Sequence, residues 1–186
     1  MKTIAFLDAG TLRPTIVSNR LNLPGPSERF DWRLFVKWLG TLSGNLFDIH
    51  YYDALPDLPT NGLGHFHTFL QQELKIQLHL TNLRTKRKNC PHCNNVITED
   101  VQKSVDVSLA IDMFRLAPHY DQALLVSGDG DFSEVVKIIR GEFGRRVITI
   151  GWKTAIAPQL RINANEILCL EDHAREFIGR TDEVNA

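Results

Sequence analysis

Apolar positions along the chain fall into two alternating patterns. Short continuous runs at residues 3–7 and 124–126 stop at turn residues and read as buried strands of a parallel sheet. Residues 46–52 alternate and carry β-formers, and 146–152 and 166–170 add further strands. Between them apolar residues recur at helix spacing. Phe30, Leu34, Phe35, Trp38 and Leu39 share one face of a helix capped by Ser27 or Asp31. Residues 63–74 read as helix. A long regular helix opens at Lys103, presents Val105, Leu109, Ala110, Met113, Phe114 and Ala117, and ends at Pro118. Further helices are expected over 132–143, 155–163 and 172–178. Residues 13–27, with three prolines, and 53–64 read as loops. Strand and helix in alternation predict an α/β fold, a three-layer doubly wound and mostly parallel sheet.

One stretch departs from this rhythm. Ile76, Leu78 and Leu80 alternate as in a strand and lead into a basic tail, Arg84, Lys86, Arg87 and Lys88. Cys90-Pro91-His92-Cys93 follows, then Val96-Ile97-Thr98. Two short β runs around a cysteine turn suggest a small hairpin insertion over residues 80–100, with a knuckle at its tip. The remainder of 1–186 reads as one domain.

Composition narrows the classes. With 186 residues and 43% apolar content a full core is expected, and a net charge of -1 excludes coating of nucleic acid by bulk charge. Any basic footprint must be local. The first residues lack an apolar run long enough for a signal peptide, and no stretch is long enough to span a membrane. Three cysteines do not make a disulfide framework, so a reducing cytoplasm is expected.

The candidate chemistry lies at strand ends. Asp8 follows the first strand, and Ser127-Gly128-Asp129-Gly130-Asp131 follows the central one. Open α/β sheets bind ligands at that edge. Gly128 and Gly130 are expected to take positive φ and let the carboxylates converge. Asp106, in the first turn of the helix before the central strand, can reach the same crevice, whereas Asp112 faces elsewhere. Converging carboxylates repel each other unless a cation or proton lies between them. Hard oxygen donors of this kind suit Mg²⁺ or Mn²⁺, and such a centre serves phosphodiester hydrolysis.

The blocks Phe6-Leu7-Asp8, 103–112 (KSVDVSLAID) and 125–132 (LVSGDGDF) resemble, in order, the signature blocks of NYN domains, the LabA-like branch of the PIN/FEN-like nuclease superfamily. The likeness runs from Lys2 to about residue 170. It implies a PIN-like fold, a ribonuclease with RNA as partner, and metal-binding, catalytic acids at Asp8, Asp106, Asp129 and Asp131. Thr11, Ser127 and Lys103 would position substrate. Many relatives carry Asn where this chain has Thr11, a shorter side chain without the amide's two donors. A non-catalytic RNA-binding or regulatory module on the same fold is the alternative.

The Cys90–Cys93 motif, followed by turn and strand, fits half of a zinc site better than a thioredoxin-like helix start. His92, His79 or a second subunit in a homodimer would have to complete it, and a metal-free turn explains the motif equally well. Arg84, Lys86, Arg87 and Lys88 read either as a solvated hairpin edge or as an RNA-tracking arm. The remaining histidines follow no ligand spacing, and Trp152 is expected to pack.

Overall fold

A computed structural model of the chain describes residues 1–23, 28–55, 61–82, 84–89, 93, 96–101 and 103–180. Six parallel strands form one sheet in the order β4-β3-β1-β7-β8-β9. In chain order the first strand is β1 (Thr3–Asp8), followed by α1 (Ala9–Leu12), α2 (Pro14–Leu21), the short β2 (Glu28–Phe30) and α3 (Trp32–Thr41). β3 (Leu46–Leu55), α4 (Asn61–Gln72) and β4 (Gln77–Asn82) complete one wing of the sheet. β5 (Arg84–Asn89) and β6 (Val96–Val101) pair antiparallel as a separate two-stranded ribbon, Arg84 opposite Val101 and Asn89 opposite Val96. α5 (Lys103–Leu116) returns the chain to the centre, where β7 (Gln122–Val126), α6 (Ser133–Gly141), β8 (Arg146–Gly151), α7 (Pro158–Asn163) and β9 (Glu166–Cys169) build the other wing. A 3₁₀ helix, Leu170–Glu176, leads to β10 (Ile178–Arg180), which pairs antiparallel with β2.

Alternation along the strands sorts side chains to two cores, one on each face of the sheet. Leu7, Tyr51, Val126 and Ile150 pack beneath Val17, Phe35, Leu39 and Leu70 of α2, α3 and α4. Phe6, Tyr52, Leu125 and Val147 pack beneath α5, α6 and α7 through Leu109, Met113, Val136, Ile139 and Leu160. Parallel strands covered on both faces need continuous apolar runs, which is what β1 and β7 supply.

Four expectations need correction. Residues 14–21 are helical, because Pro14 sits in the first turn of α2, where a missing N–H costs nothing. The second strand continues through Asp53 to Leu55 as β3, so Asp53 belongs to the sheet. Gln77–Asn82 form β4, the parallel edge of the main sheet, so Leu78 and Leu80 belong there and not to the ribbon. The expected terminal helix is a 3₁₀ segment and then β10. At the start of α3 the cap is Asp31, accepting from the N–H groups of Arg33 (2.8 Å) and Leu34 (3.1 Å), while Ser27 lies outside the described residues.

Candidate active site

The strand order reverses its direction of growth between β1 and β7: β3 and β4 lie to one side, β8 and β9 to the other. Loops leaving neighbouring strands at such a point diverge and open a crevice at the carboxyl edge. Leu7 pairs with Val126, so the next residues, Asp8 and Ser127, meet at the crevice floor. The Ser127 hydroxyl donates to Asp8 Oδ2 at 3.0 Å, and the Thr11 hydroxyl donates to the same oxygen at 3.3 Å. Asp8 Oδ1 accepts from the Gly10 N–H at 2.8 Å, which caps α1. Burial raises the Asp8 carboxyl above the ordinary carboxylate range, opposed by these three hydrogen bonds, while the charge of Asp129 raises it further.

After β7 the backbone turns sharply. Asp129 Oδ1 accepts from the Asp131 N–H at 2.9 Å, and the Asp129 N–H donates to Ser127 Oγ at 3.2 Å. Both Asp129 and Asp131 are exposed. The glycines do not work through positive φ here, since Gly144 is the one described glycine in that region. They are needed for close approach. A Cβ at Gly128 would lie 2.7 Å from the Ala155 carbonyl oxygen, and one at Gly130 would lie 3.1 Å from the Ala157 Cβ. The segment after β8 is thereby held against the turn, with Ala157 N–H donating to the Gly128 carbonyl at 2.9 Å. Trp152, buried as expected, donates its indole N–H to the Thr11 carbonyl at 3.0 Å and ties the same segment to α1. Three loops, after β1, β7 and β8, therefore lock into one rim.

Asp106 reaches this rim from the first turn of α5. Burial and then the charges of Asp8, Asp129 and Asp131 push its carboxyl up to about 6. The other three acids all raise it, so Asp106 lies on their side of the sheet edge. Among the described residues no three His, Cys, Asp or Glu side chains stand close enough together to hold a metal ion as they are. The donor set nevertheless fits a hard divalent cation: carboxylate oxygens in excess, hydroxyls behind them, and no soft ligand.

Asp112 faces away, as its spacing predicts. Its carboxylate accepts from the Tyr52 hydroxyl at 3.0 Å, lies 3.3 Å from His79 Nδ1, and is bridged by Arg115 at 2.9 Å. The other nitrogen of His79 lies 2.9 Å from His50 Nδ1. Both imidazole nitrogens of His79 are thus engaged in the sheet, which removes it as a partner for the cysteine motif. Cys93 is exposed. Cys90 and His92 lie outside the described residues, as do the side chains of Arg84, Lys86, Arg87, Lys88 and Lys103.

Sequence reasoning missed one acid. Asp53, almost fully buried near the end of β3, lies beside the crevice and faces Arg13 at 3.3 Å and His67 at 3.6 Å. Its signal was the same as that of Asp8, a carboxylate following an apolar run (Tyr51-Tyr52). The Arg13 side chain is 46% exposed, so Asp53 holds a cation at the rim of an otherwise acidic crevice.

Residues 16–171 match the sequence model of the NYN domain. The chain belongs to the NYN domain family. The matched span begins after Asp8 and includes Asp106, Asp129 and Asp131. As an NYN domain the chain falls in the PIN-like ribonuclease superfamily, whose domains typically use divalent metals, and NYN domains bind RNA. It is similar to the Low amplitude and bright protein LabA of Synechococcus elongatus, 32% identical over 79 residues, which cover 42% of this chain and 41% of LabA. The match thus spans less than half of that relative. In fold the chain is similar to the crystal structure of a protein of unknown function from Vibrio parahaemolyticus, with a TM-score of 0.68 over 96% of both chains and 19% identity. That likeness shows a shared α/β fold. No helix among the described residues is long and apolar enough to cross a membrane.

Proposed function

We propose that this NYN domain is a metal-dependent ribonuclease whose divalent cation is held by Asp8, Asp106, Asp129 and Asp131. The observation that carries the reading is Asp106, a carboxyl pushed up to about 6 by burial and by three neighbouring acids at a topological switch point. Four carboxylates facing one another are unfavourable without a counter-charge. A bound Mg²⁺ or Mn²⁺ would supply that charge, lower the pKa of a bound water and stabilise the leaving oxygen of a phosphodiester. The chain's own residues divide the remaining work. Ser127 and Thr11 fix the orientation of Asp8 through hydrogen bonds to Oδ2. The Asp131 N–H fixes Asp129. Arg13, anchored by Asp53, offers guanidinium N–H groups to a phosphate at the rim. Lys103, preceding Asp106 by less than one helical turn, is placed in sequence to serve the same polyanion.

A second reading, an RNA-binding or regulatory module without turnover, is favoured by Thr11. That residue is 8% exposed and its hydroxyl is already given to Asp8. It cannot orient a substrate group as an exposed Asn amide would. Zinc at Cys90 and Cys93, a homodimer completing that site, and the Arg84–Lys88 stretch as an RNA arm remain proposals from the sequence.

The test is cleavage of a mixed pool of single-stranded and structured RNA with added Mg²⁺ or Mn²⁺, with Asp129→Asn alongside. Metal-dependent cleavage that falls at least about 100-fold in the variant is the expected result. RNA bound equally by both proteins and cut by neither would establish the regulatory module instead.

A further inference from the structure

The acidic crevice occupies the carboxyl edge of the sheet, yet an RNA strand needs cations along its path. Besides Arg13 at the rim, four described cations are gathered towards the opposite edge. A groove of about 660 Å³ lies where α6 ends and β8 and β9 begin, lined by Lys137, Arg140, Arg145 and Arg146 together with Asn163 and Asn165. No carboxylate lines it. The acids that pair with these cations are not among its lining residues: Glu134 at 3.4 Å from Lys137, Asp121 at 3.5 Å from Arg145, and Glu166 at 2.5 Å from Arg146. Arg140 has no carboxylate partner among the described residues and hydrogen-bonds the Asn163 carbonyl instead. Asn165 spends its amide oxygen on the Val147 N–H at 2.8 Å. Its amide N–H groups make no hydrogen bond among the described residues and are available as donors.

The groove wall is open where Gly141 and Gly144 form it, since a Cβ at either would meet nothing within 4 Å. Two cations in the last turns of α6 would suffice to complement the helix dipole. Arg145 and Arg146 lie beyond the helix, so the dipole does not account for the cluster. The groove is also connected to the crevice by single elements. α6 starts two residues after Asp131 and ends at Gly141. β8 runs from Arg146 to Gly151, six residues, or roughly 17 Å at the rise of a parallel strand. A stacked RNA strand covers that distance in about five nucleotides.

We propose that this groove is an RNA exosite, taking backbone phosphates of the same strand that the carboxylate crevice engages. The proposal rests on the ribonuclease reading and deepens it: it makes the substrate a strand long enough to run beside α6, not a dinucleotide. Arg140, Arg145 and Arg146 each spend part of the guanidinium on the protein, and their remaining N–H groups supply phosphate contacts that give affinity and register without reading sequence.

The experiment measures fluorescence anisotropy of RNAs of about four and about twelve nucleotides, across a salt series, in the full chain carrying Asp129→Asn with Mg²⁺ present. The same background with Lys137→Glu and Arg140→Glu is compared, and wild-type cleavage of the longer RNA is run in parallel. With the groove intact, the longer RNA is expected to bind at least about tenfold more tightly than the shorter one, a gain the charge-reversed protein loses. The slope of log affinity against log salt should fall by about 1.4, the value for two lost phosphate contacts on a single strand. Lys137→Gln with Arg140→Gln should lose the same slope, and unchanged thermal melts verify that each variant is folded. Equal affinity and slope in all three proteins, with the wild type still cleaving, would overturn the exosite and leave the nuclease standing. A wild type that neither binds nor cleaves RNA would overturn the ribonuclease reading itself, and the exosite with it.

Discussion

Asp106 carries a cost that can be measured without any substrate. Its carboxyl ionises at about 6 in the folded protein against an ordinary 3.8, burial being the largest cause and the three facing acids the rest. The folded state therefore holds this proton more tightly than the unfolded chain does. Stability contributed by the neutral acid is present below 3.8 and is lost as pH rises towards about 6. In the absence of metal, Asp106→Asn should melt higher than the wild type at pH 7, by about 2–4 °C after allowing for solvent screening of a half-exposed group. The difference should close as the pH is lowered through that window. A variant that melts lower at pH 7 would mean that Asp106 is held by favourable contacts and not strained by its neighbours. The aspartates were legible because each follows a buried run or opens a helix, positions that one chain shows by itself. The reason for the glycines beside them was not legible. Gly128 is required because any side-chain methyl there would stand 2.7 Å from the Ala155 carbonyl oxygen, on a segment 27 residues further on. No local pattern announces such an approach.

At the scale of the element, α5 shows how one helix can serve two purposes. Val105, Leu109 and Met113 are buried in the core beneath the sheet, while Asp106 opens onto the crevice. Asp112 closes a polar network with Tyr52 of β3, His79 of β4 and Arg115. Burial lowers the His79 and His50 imidazoles below their ordinary value, so both are neutral at pH 7 and each N–H must be matched to an acceptor. Asp112→Ala would leave the Tyr52 hydroxyl and His79 N–H without their acceptor in a buried site. A loss of about 2–4 kcal/mol is expected from the two unmatched neutral donors, read in urea as a lower midpoint at unchanged slope. Tyr52→Phe, which removes a single hydrogen bond, should cost only about 1 kcal/mol. Equal losses in the two variants would mean that the His79 and Arg115 contacts contribute nothing. This network was invisible in the sequence, because it joins two strands and a helix at separations no periodicity spans. The elements themselves were read from periodicity, and the misses share a cause. α2 was hidden by a proline that is tolerated only in the first turn, and β10 is three residues long, too short to establish a period.

For the whole molecule, a net charge of -1 conceals two different arrangements of charge. Unpaired carboxylates collect at the carboxyl edge, whereas in the groove near the starts of β8 and β9 Lys137, Arg145 and Arg146 are paired with Glu134, Asp121 and Glu166, and Arg140 has no carboxylate partner among the described residues. The first arrangement stores repulsion inside the native state alone, since in the unfolded chain Asp8, Asp106 and Asp129 are far apart in sequence and solvated. A divalent cation that binds between them is therefore linked directly to folding. It should stabilise the protein by about 2.7 kcal/mol at a hundredfold excess over its dissociation constant. Thermal melts in Mg²⁺ and in Mn²⁺ check this, and the midpoint should keep rising with the logarithm of metal concentration. The rise should be lost in Asp8→Asn with Asp129→Asn, whose metal-free midpoint should itself lie above that of the wild type. Persistence of the full rise in that double variant would place the cation elsewhere, and the carboxylates would then have to be explained as caps and turn formers. The same titration separates the two functional readings only in part, because a regulatory module built on this edge would still need the counter-charge. What it decides is prior to both, namely whether the acids at the switch point bind a cation at all.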